Sequence, residues 1–204
     1  MVQFAKYHGL GNDFIMIDNR QSEVPLLSVE DCIRLCHRNF GIGADGVIFA
    51  FAGNGECDYV MKVVNSDGSV AQMCGNGLRC LAVFLQKLEN CSVPSSFRIM
   101  TGAGLLIATL AADGNVTVDM GAPKLESGSI PTSLTDIVNQ VDVLNHPFEI
   151  TPVGMGNPHA VVFVDSLDSM VPSFSDIGPA TSTHKSFPEG CNAEFVQVGI
   201  YLSV

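Results

Sequence analysis

Basic residues are what this chain has least of. Ten Lys and Arg stand against 21 Asp and Glu in 204 residues, a formal charge of −11, and the ten nowhere form a run. Nucleic-acid surfaces need clustered cations, so that class of partner is excluded. Long apolar runs are missing as well. The longest apolar-leaning stretch, GLLIATLAA from Gly104, falls far short of the roughly 20 residues of a membrane helix, so no membrane partner is expected. The opening MVQFAKYHGL lacks a basic segment followed by a long apolar one, and no secretory signal is expected. Low-complexity segments are absent. Seven cysteines, an odd number without a secretory signal, point to reduced thiols in a reducing compartment: the cytoplasm, or an organelle such as a plastid.

What is present is the composition of a globular protein, 47% hydrophobic and 15% charged. Its length suits one large domain or two small ones. FAKYHG, DFIMIDN, GVIFAFA, YVMKVVNS, SFRIMT, GLLIATLA and NVTVDMG read as strands, each apolar-rich and bounded by Gly, Asn or Asp, with a DGN turn between the last two. SVEDCIRLCHRNF reads as a helix opening on a Ser N-cap. GNGLRCLAVFLQKLEN reads as a second helix, too apolar all round to lie on a surface, hence central and buried. The fold class is α/β (α+β) with mostly antiparallel strands.

Most of the cysteines have a plain reading. Cys32 and Cys36, four apart on one helix face beside His37, have the spacing of metal ligands, but free cysteines are commonly small buried hydrophobes. No metal site is assigned. Cys57, Cys80, Cys91 and Cys191 take the same core reading.

Two stretches repeat at long range. GLGNDFIMID begins at Gly9 and GMGNPHAVVFVD at Gly154, each Gly-apolar-Gly-Asn, two residues, then a strand ending in Asp. GADGVIFA from Gly43 is echoed in the same order by GCNAEFVQV from Gly190. Two landmarks in one order imply two copies of one supersecondary plan. Counting from Gly156 the interval that separates Gly11 from Cys74 runs past Val204, so a matching second thiol has no place in this sequence.

Cys74 stands against Gly-Asn-Gly at the start of the second helix. The first N–H groups of a helix lack partners and its dipole is positive there. Gly75 and Gly77 let a ligand approach the backbone closely. That end can hold a carboxylate and favours a thiolate beside it, a base poised at the α-carbon of an amino acid. Two other readings stand beside this one. The stretch can be a plain capping turn, or Cys74 can be a hydrolase nucleophile partnered by His8, His37 or His159, with the same N–H groups as oxyanion hole.

HGLGNDFIMID, GIGADGVIFA, NSDGSVAQMCGNGLRC, GMGNPHAVVFV and FPEGCNAEFVQV, in this order and spacing, resemble the diaminopimelate epimerase family. The resemblance implies two pseudo-symmetric domains, each a curled sheet around a central helix, with domains at 1–118 and 119–204. It implies pyridoxal-independent inversion of one α-carbon of diaminopimelate, LL to meso, in lysine biosynthesis, by two thiols on opposite sides of that carbon, with no cofactor. The small-molecule substrate is then diaminopimelate, and a homodimer the assembly. By motif, Cys74 matches the first catalytic thiol. Asn12, Asn65, Gly75, Asn76, Asn157 and Asn192 match the groups that hold substrate, an amide offering donor and acceptor without charge, although Asn also caps turns unaided. His159 can assist a thiol or be structural. At Gly46, where some members have glutamine, no side-chain contact is assigned.

The chain departs from the family after FVQV, where it reads GIYLSV and stops. A Glu-Arg pair, the second cysteine and the second central helix are then missing. Strands such as AVVFVD are expected to leave an apolar face uncovered. The competing expectation is therefore a truncated, non-catalytic relative that binds substrate weakly or pairs with a full-length subunit. A fragment of a longer sequence and a different isomerase on the same fold rank behind it.

Overall fold

A computed structural model describes residues 2–199. The end of the closing GIYLSV stretch therefore lies outside the described residues, and with it the expectation that rests there. The chain divides into two compact units, Met1–Met120 and Gly121–Val204. The fold is mixed α+β, with few helices and two sheets among the described residues.

In the first unit the strands are β1 (Ala5–Gly9), β2 (Asn12–Asp18), β3 (Gly46–Ala52), β4 (Tyr59–Asn65), β5 (Val70–Ala71), β6 (Ser95–Thr101), β7 (Gly104–Leu110) and β8 (Val116–Asp119). They form one sheet in the order β1-β2-β3-β4-β6-β7-β8, with β5 on β4. Pairing is antiparallel except at β2–β3 and β4–β6. Parallel joins need a crossover, and helices α1 (Val29–Cys36) and α2 (Gly75–Glu89) lie in those two connections.

Helix α2 packs against β1 and β2 at one edge and against β7 and β8 at the other. A sheet whose two edges meet one helix must curl around it. The helix buries Leu78, Leu81, Ala82 and Leu85, spaced along one stripe, and Gly77, Cys80 and Phe84 beside them. They meet Phe14, Met16, Ile48, Ala50, Met61 and Val63 from the sheet. Full burial of each leucine contributes about 2 kcal/mol. The sheet's other face carries Ile15, Ile17, Val47, Phe49 and Phe51 against Cys32 and Cys36 of α1. Strands β2 and β3 are thus buried on both faces, which is why FIMI and VIFAF are unbroken apolar runs.

Helix α1 opens as its sequence reads, with Ser28 Oγ accepting from the Asp31 N–H at 3.2 Å. It stops at Cys36 rather than running to Phe40. His37 turns to an extended ψ of 118°, and its Nδ1 accepts the N–H groups of Asn39 and Phe40, both at 3.2 Å.

The second unit has β9 (Asn139–Val143), β10 (His146–Gly154), β11 (Pro158–Phe163) and β12 (Asn192–Val196) in the order β12-β11-β10-β9, with α3 (Phe174–Ser182) between β11 and β12. Val141, Val143, Ile150, Ala160 and Val162 bury one face against Ile177 and Phe187. Phe163, on the other face of β11, is 62% exposed.

The repeat is visible in the pairing. Strands β2 and β11 are each antiparallel to the strand before them and parallel to the strand after, with a helix in the crossover. Gly11 and Gly156 precede them at φ +88° and +90°, a backbone conformation that favours glycine. The register differs by one residue: Phe14 faces Gly46, whereas His159 faces Asn192, the counterpart of Asp45 in the sequence repeat.

Candidate active site

The Leu10–Gly11 turn joins β1 to β2 with both residues at positive φ, a two-residue hairpin that puts Asn12 first on β2 opposite Gly9. Cys74 is the N-cap of α2, extended at φ −147° and ψ 109°. Its Sγ accepts from the Gly77 N–H at 3.4 Å and donates to Asn12 Oδ1 at 3.8 Å. Asn76 Nδ2 donates to the same Oδ1 at 3.2 Å. The structure therefore brings Cys74, Gly75, Asn76 and Asn12 together at one helix end.

The N–H groups of Gly75 and Asn76, first in the helix, have no intrahelical partner. The Cα of Gly75 is open: an added Cβ would meet nothing closer than Met120 Cε at 4.0 Å. Cys74 itself is half-buried, whereas Cys32, Cys36, Cys57 and Cys80 are buried. Burial pushes the thiols of Cys36 and Cys80 up, and that of Cys32 to about 11. Cys32 and Cys36 are core residues, and His37 is spent on the turn that ends α1.

Three charged residues that sequence reasoning left unassigned shape these sites. Asp45 Oδ2 accepts from Asn12 Nδ2 at 2.8 Å and from the Asp13 N–H at 3.0 Å. Arg79 Nη2 donates to Asn76 Oδ1 at 2.5 Å. Glu194 appears in the second unit, below. All three lie inside the matched motifs, GADG, GLRC and NAEF. A charged residue in a glycine-rich or strand-forming motif was the available signal, but only the fold supplies its partner. Behind Asp45, Arg38 Nη2 binds Asp45 Oδ1 at 2.7 Å and Asp13 Oδ1 at 2.8 Å, and Lys6 Nζ binds Asp13 Oδ2 at 2.9 Å. The Arg38 guanidinium, with Lys6 beside it, holds the Asp13 carboxyl well below the usual range.

Asn65, facing Gly46 across β3–β4, commits its Nδ2 to Ser69 Oγ at 2.9 Å. A Cβ at Gly46 would come within 2.8 Å of the Val64 carbonyl oxygen, so glycine permits close strand approach there.

The second unit gathers Asn157, His159 and Asn192. His159 Nδ1 lies 2.7 Å from Glu194 Oε1 and its Nε2 2.9 Å from Asn157 Oδ1, while Asn192 is its neighbour across β11–β12. The carboxylate can only accept, so Nδ1–H donates to it and the ring's orientation is fixed. Cys191 is pushed up to about 11 by burial, with the Glu194 charge adding to it.

The sequence profile of the diaminopimelate epimerase family matches residues 4–126, which include the whole Cys74 cluster. A protein of Synechococcus elongatus named diaminopimelate epimerase is 52% identical over 202 residues, covering 97% of this chain and 71% of its own. A rice protein named diaminopimelate epimerase, chloroplastic, is 48% identical over 209 residues, covering 97% of this chain and 58% of its own. Among solved structures, a probable proline racemase from Agrobacterium radiobacter superposes with a TM-score of 0.67 at 15% identity, over 96% of this chain and 66% of its own, a likeness of fold. Half-identity that runs from the Cys74 helix through the His159 strand turns the motif resemblance into membership: this chain belongs to the diaminopimelate epimerase family.

Proposed function

We propose that the protein is a diaminopimelate epimerase, an isomerase that inverts one α-carbon of diaminopimelate between the LL and meso forms in lysine biosynthesis, without pyridoxal. The observation that carries this reading is a half-buried thiol at the N-terminus of a buried helix, its sulfur set between a backbone N–H and an asparagine oxygen. Near-half identity over 97% of the chain favours it over a non-catalytic relative.

In this reading Cys74, as thiolate, removes the α-proton. The S–H bond forms as the C–H bond breaks, and the electron pair passes to the α-carbon and its carboxylate. The N–H groups of Gly75 and Asn76, which lack partners within the helix, donate hydrogen bonds to that carboxylate, where the helix dipole favours the added charge. In the scheme that the family resemblance implies, a second thiol, which none of the seven cysteines of residues 1–204 matches, returns a proton from the opposite face, and in the reverse direction the two exchange roles. By motif, Asn12, Asn65 and Asn76 of the first unit and Asn157 and Asn192 of the second are substrate-holding groups, and within the second unit His159, oriented by Glu194, is a group that can assist a thiol. The working compartment is the cytoplasm or, in a plant cell, the plastid, as the chloroplastic rice relative supports. The family resemblance carries a homodimer as its assembly.

The test is proton exchange at the α-carbon of LL-diaminopimelate in heavy water, followed by NMR and chiral analysis, with Cys74→Ala as control. Exchange with inversion is expected. Exchange no faster than in the control removes the proposal.

A further inference from the structure

The side-chain amides of Asn12 and Asn76 lie in series, and a charged group closes each end. Asp45 can only accept hydrogen bonds, so Asn12 must turn Nδ2 toward it, at 2.8 Å, and Oδ1 toward Cys74. Arg79 can only donate, so Asn76 must turn Oδ1 toward it, at 2.5 Å, and Nδ2 toward Asn12. An amide is free to flip between two neutral partners, but not between these. The two constraints are independent and agree: the oxygen of Asn12 faces the sulfur.

We propose that Asp45 is a positioning residue for Cys74, acting through Asn12 so that the sulfur meets an acceptor, and that Arg79 holds the same orientation from the far end. An acceptor 3.8 Å from sulfur is satisfied by a thiol and repelled by a thiolate, whereas the Gly77 N–H at 3.4 Å favours the thiolate. The direction of one amide therefore sets how far the resting thiol is held in its proton-donating form. The inference rests on the epimerase reading for its purpose but not for its test.

Replacing Asp45 by Asn makes the relay reversible. With its oxygen kept on Arg38, in the place of Oδ1, the new amide puts its NH2 in the place of Oδ2, where it gives up the Asp13 N–H and faces Asn12, which then flips and presents Nδ2 to the sulfur. The ionisable groups on the elements around this helix end are Arg79, Cys80, Lys87 and Glu89 on α2, Lys6, Tyr7 and His8 on β1, Asp13 and Asp18 on β2 and Asp119 on β8, with Asp45 ahead of β3; β3 and β7 carry none. Removing any one negative charge also favours a thiolate, and Asp13→Asn controls for this. It takes the same charge from the same Lys6–Arg38 cluster and leaves the relay intact.

The experiment is the pH profile of Cys74 alkylation by iodoacetamide in the full chain, read by peptide mass spectrometry, for wild type, Asp45→Asn and Asp13→Asn. We expect Asp45→Asn to alkylate about fivefold faster at neutral pH, with its profile midpoint moved down, on the net scale of one ordinary hydrogen bond, and Asp13→Asn to move by less than half as much. Asp45→Ser, which also lacks the obligatory acceptor, serves as the second variant and should move in the same direction. Equal shifts in Asp45→Asn and Asp13→Asn, or no shift in Asp45→Asn and Asp45→Ser, overturn the proposal. Proton exchange on diaminopimelate, run alongside, separates the two ideas: a shift in alkylation without any exchange keeps the relay and removes the epimerase.

Discussion

Replacing Cys74 by Ser should make the protein more stable and inactive at once. The structure assigns the residue two separate tasks. Its sulfur caps α2 by accepting the Gly77 N–H at 3.4 Å, and in the proposed reaction it takes a proton from carbon. Serine is among the best N-caps, and loss of a cap to alanine costs about 0.5–2 kcal/mol. A sulfur acceptor lies between these, so Cys74→Ser should gain about 0.5–1 kcal/mol and Cys74→Ala lose a similar amount. For a unit the size of Met1–Met120, unfolding entropy of about 2.1 cal/mol/K per residue makes 1 kcal/mol worth about 4 °C. A scanning calorimeter should therefore order the melting temperatures Ser, Cys, Ala, with about 4–8 °C between the extremes. The hydroxyl is a far weaker acid than a thiol of ordinary pKa about 8.5, so α-proton exchange should fall by the about 10²–10⁴ typical of a lost general base. Cys74→Ser melting below Cys74→Ala refutes the capping assignment, and exchange within tenfold of wild type refutes the base.

Burial should also sort the thiols. With Cys32 and Cys191 pushed up to about 11, iodoacetamide at pH 7.5 should modify half-buried Cys74 in the native protein and leave those two intact until denaturant is added; early modification of Cys32 would place α1 wrongly. Acid should weaken the first unit through Asp13. Its carboxyl is depressed by Arg38 and Lys6, so it contributes stability above the unfolded value of about 3.9, lost as pH falls from there toward the folded value. Urea midpoints measured from pH 6 to pH 2 should drop less steeply in Asp13→Asn than in wild type, and parallel curves would contradict the ion cluster.

Much of the first unit is written in its sequence because its elements obey local rules. Strands β2 and β3 are covered on both faces, so their apolar runs are unbroken, and α2 shows its burial in Leu78, Leu81 and Leu85. Other elements break those rules. The β9–β10 hairpin turns at Leu144–Asn145, both at positive φ, without the glycine that would have announced it. Helix α3 contains Gly178 and Pro179, yet forms a helix that buries Ile177 in the core of the second unit. In SVEDCIRLCHRNF, Phe40 extends the apolar spacing of Cys32 and Cys36, but it is 90% exposed, because the His37 ring ends the helix first. The thiol and its asparagines were legible for a different reason. Glycine at Gly11 and Gly156 is a backbone requirement, so the residues that follow each of them, Asn12 and Asn157, can be found by pattern.

The charged residues behind Cys74 were not legible, and their placement bears on how such a thiol works. Among the described residues, the hydrogen-bond partners of its sulfur are a backbone N–H and an amide oxygen, neither of which carries a formal charge. The nearest formal charges in the hydrogen-bond chain stand further back, Asp45 behind Asn12 and Arg79 behind Asn12 and Asn76 in turn. A cation in contact would hold the thiolate and an anion would hold the thiol, and either would bind one protonation state too firmly. A group that removes a proton in one direction and returns it in the other needs both states within reach. Neutral contacts whose direction is fixed by remote charges meet that need. They set the balance by orientation, and the cost of moving the proton stays small in both directions.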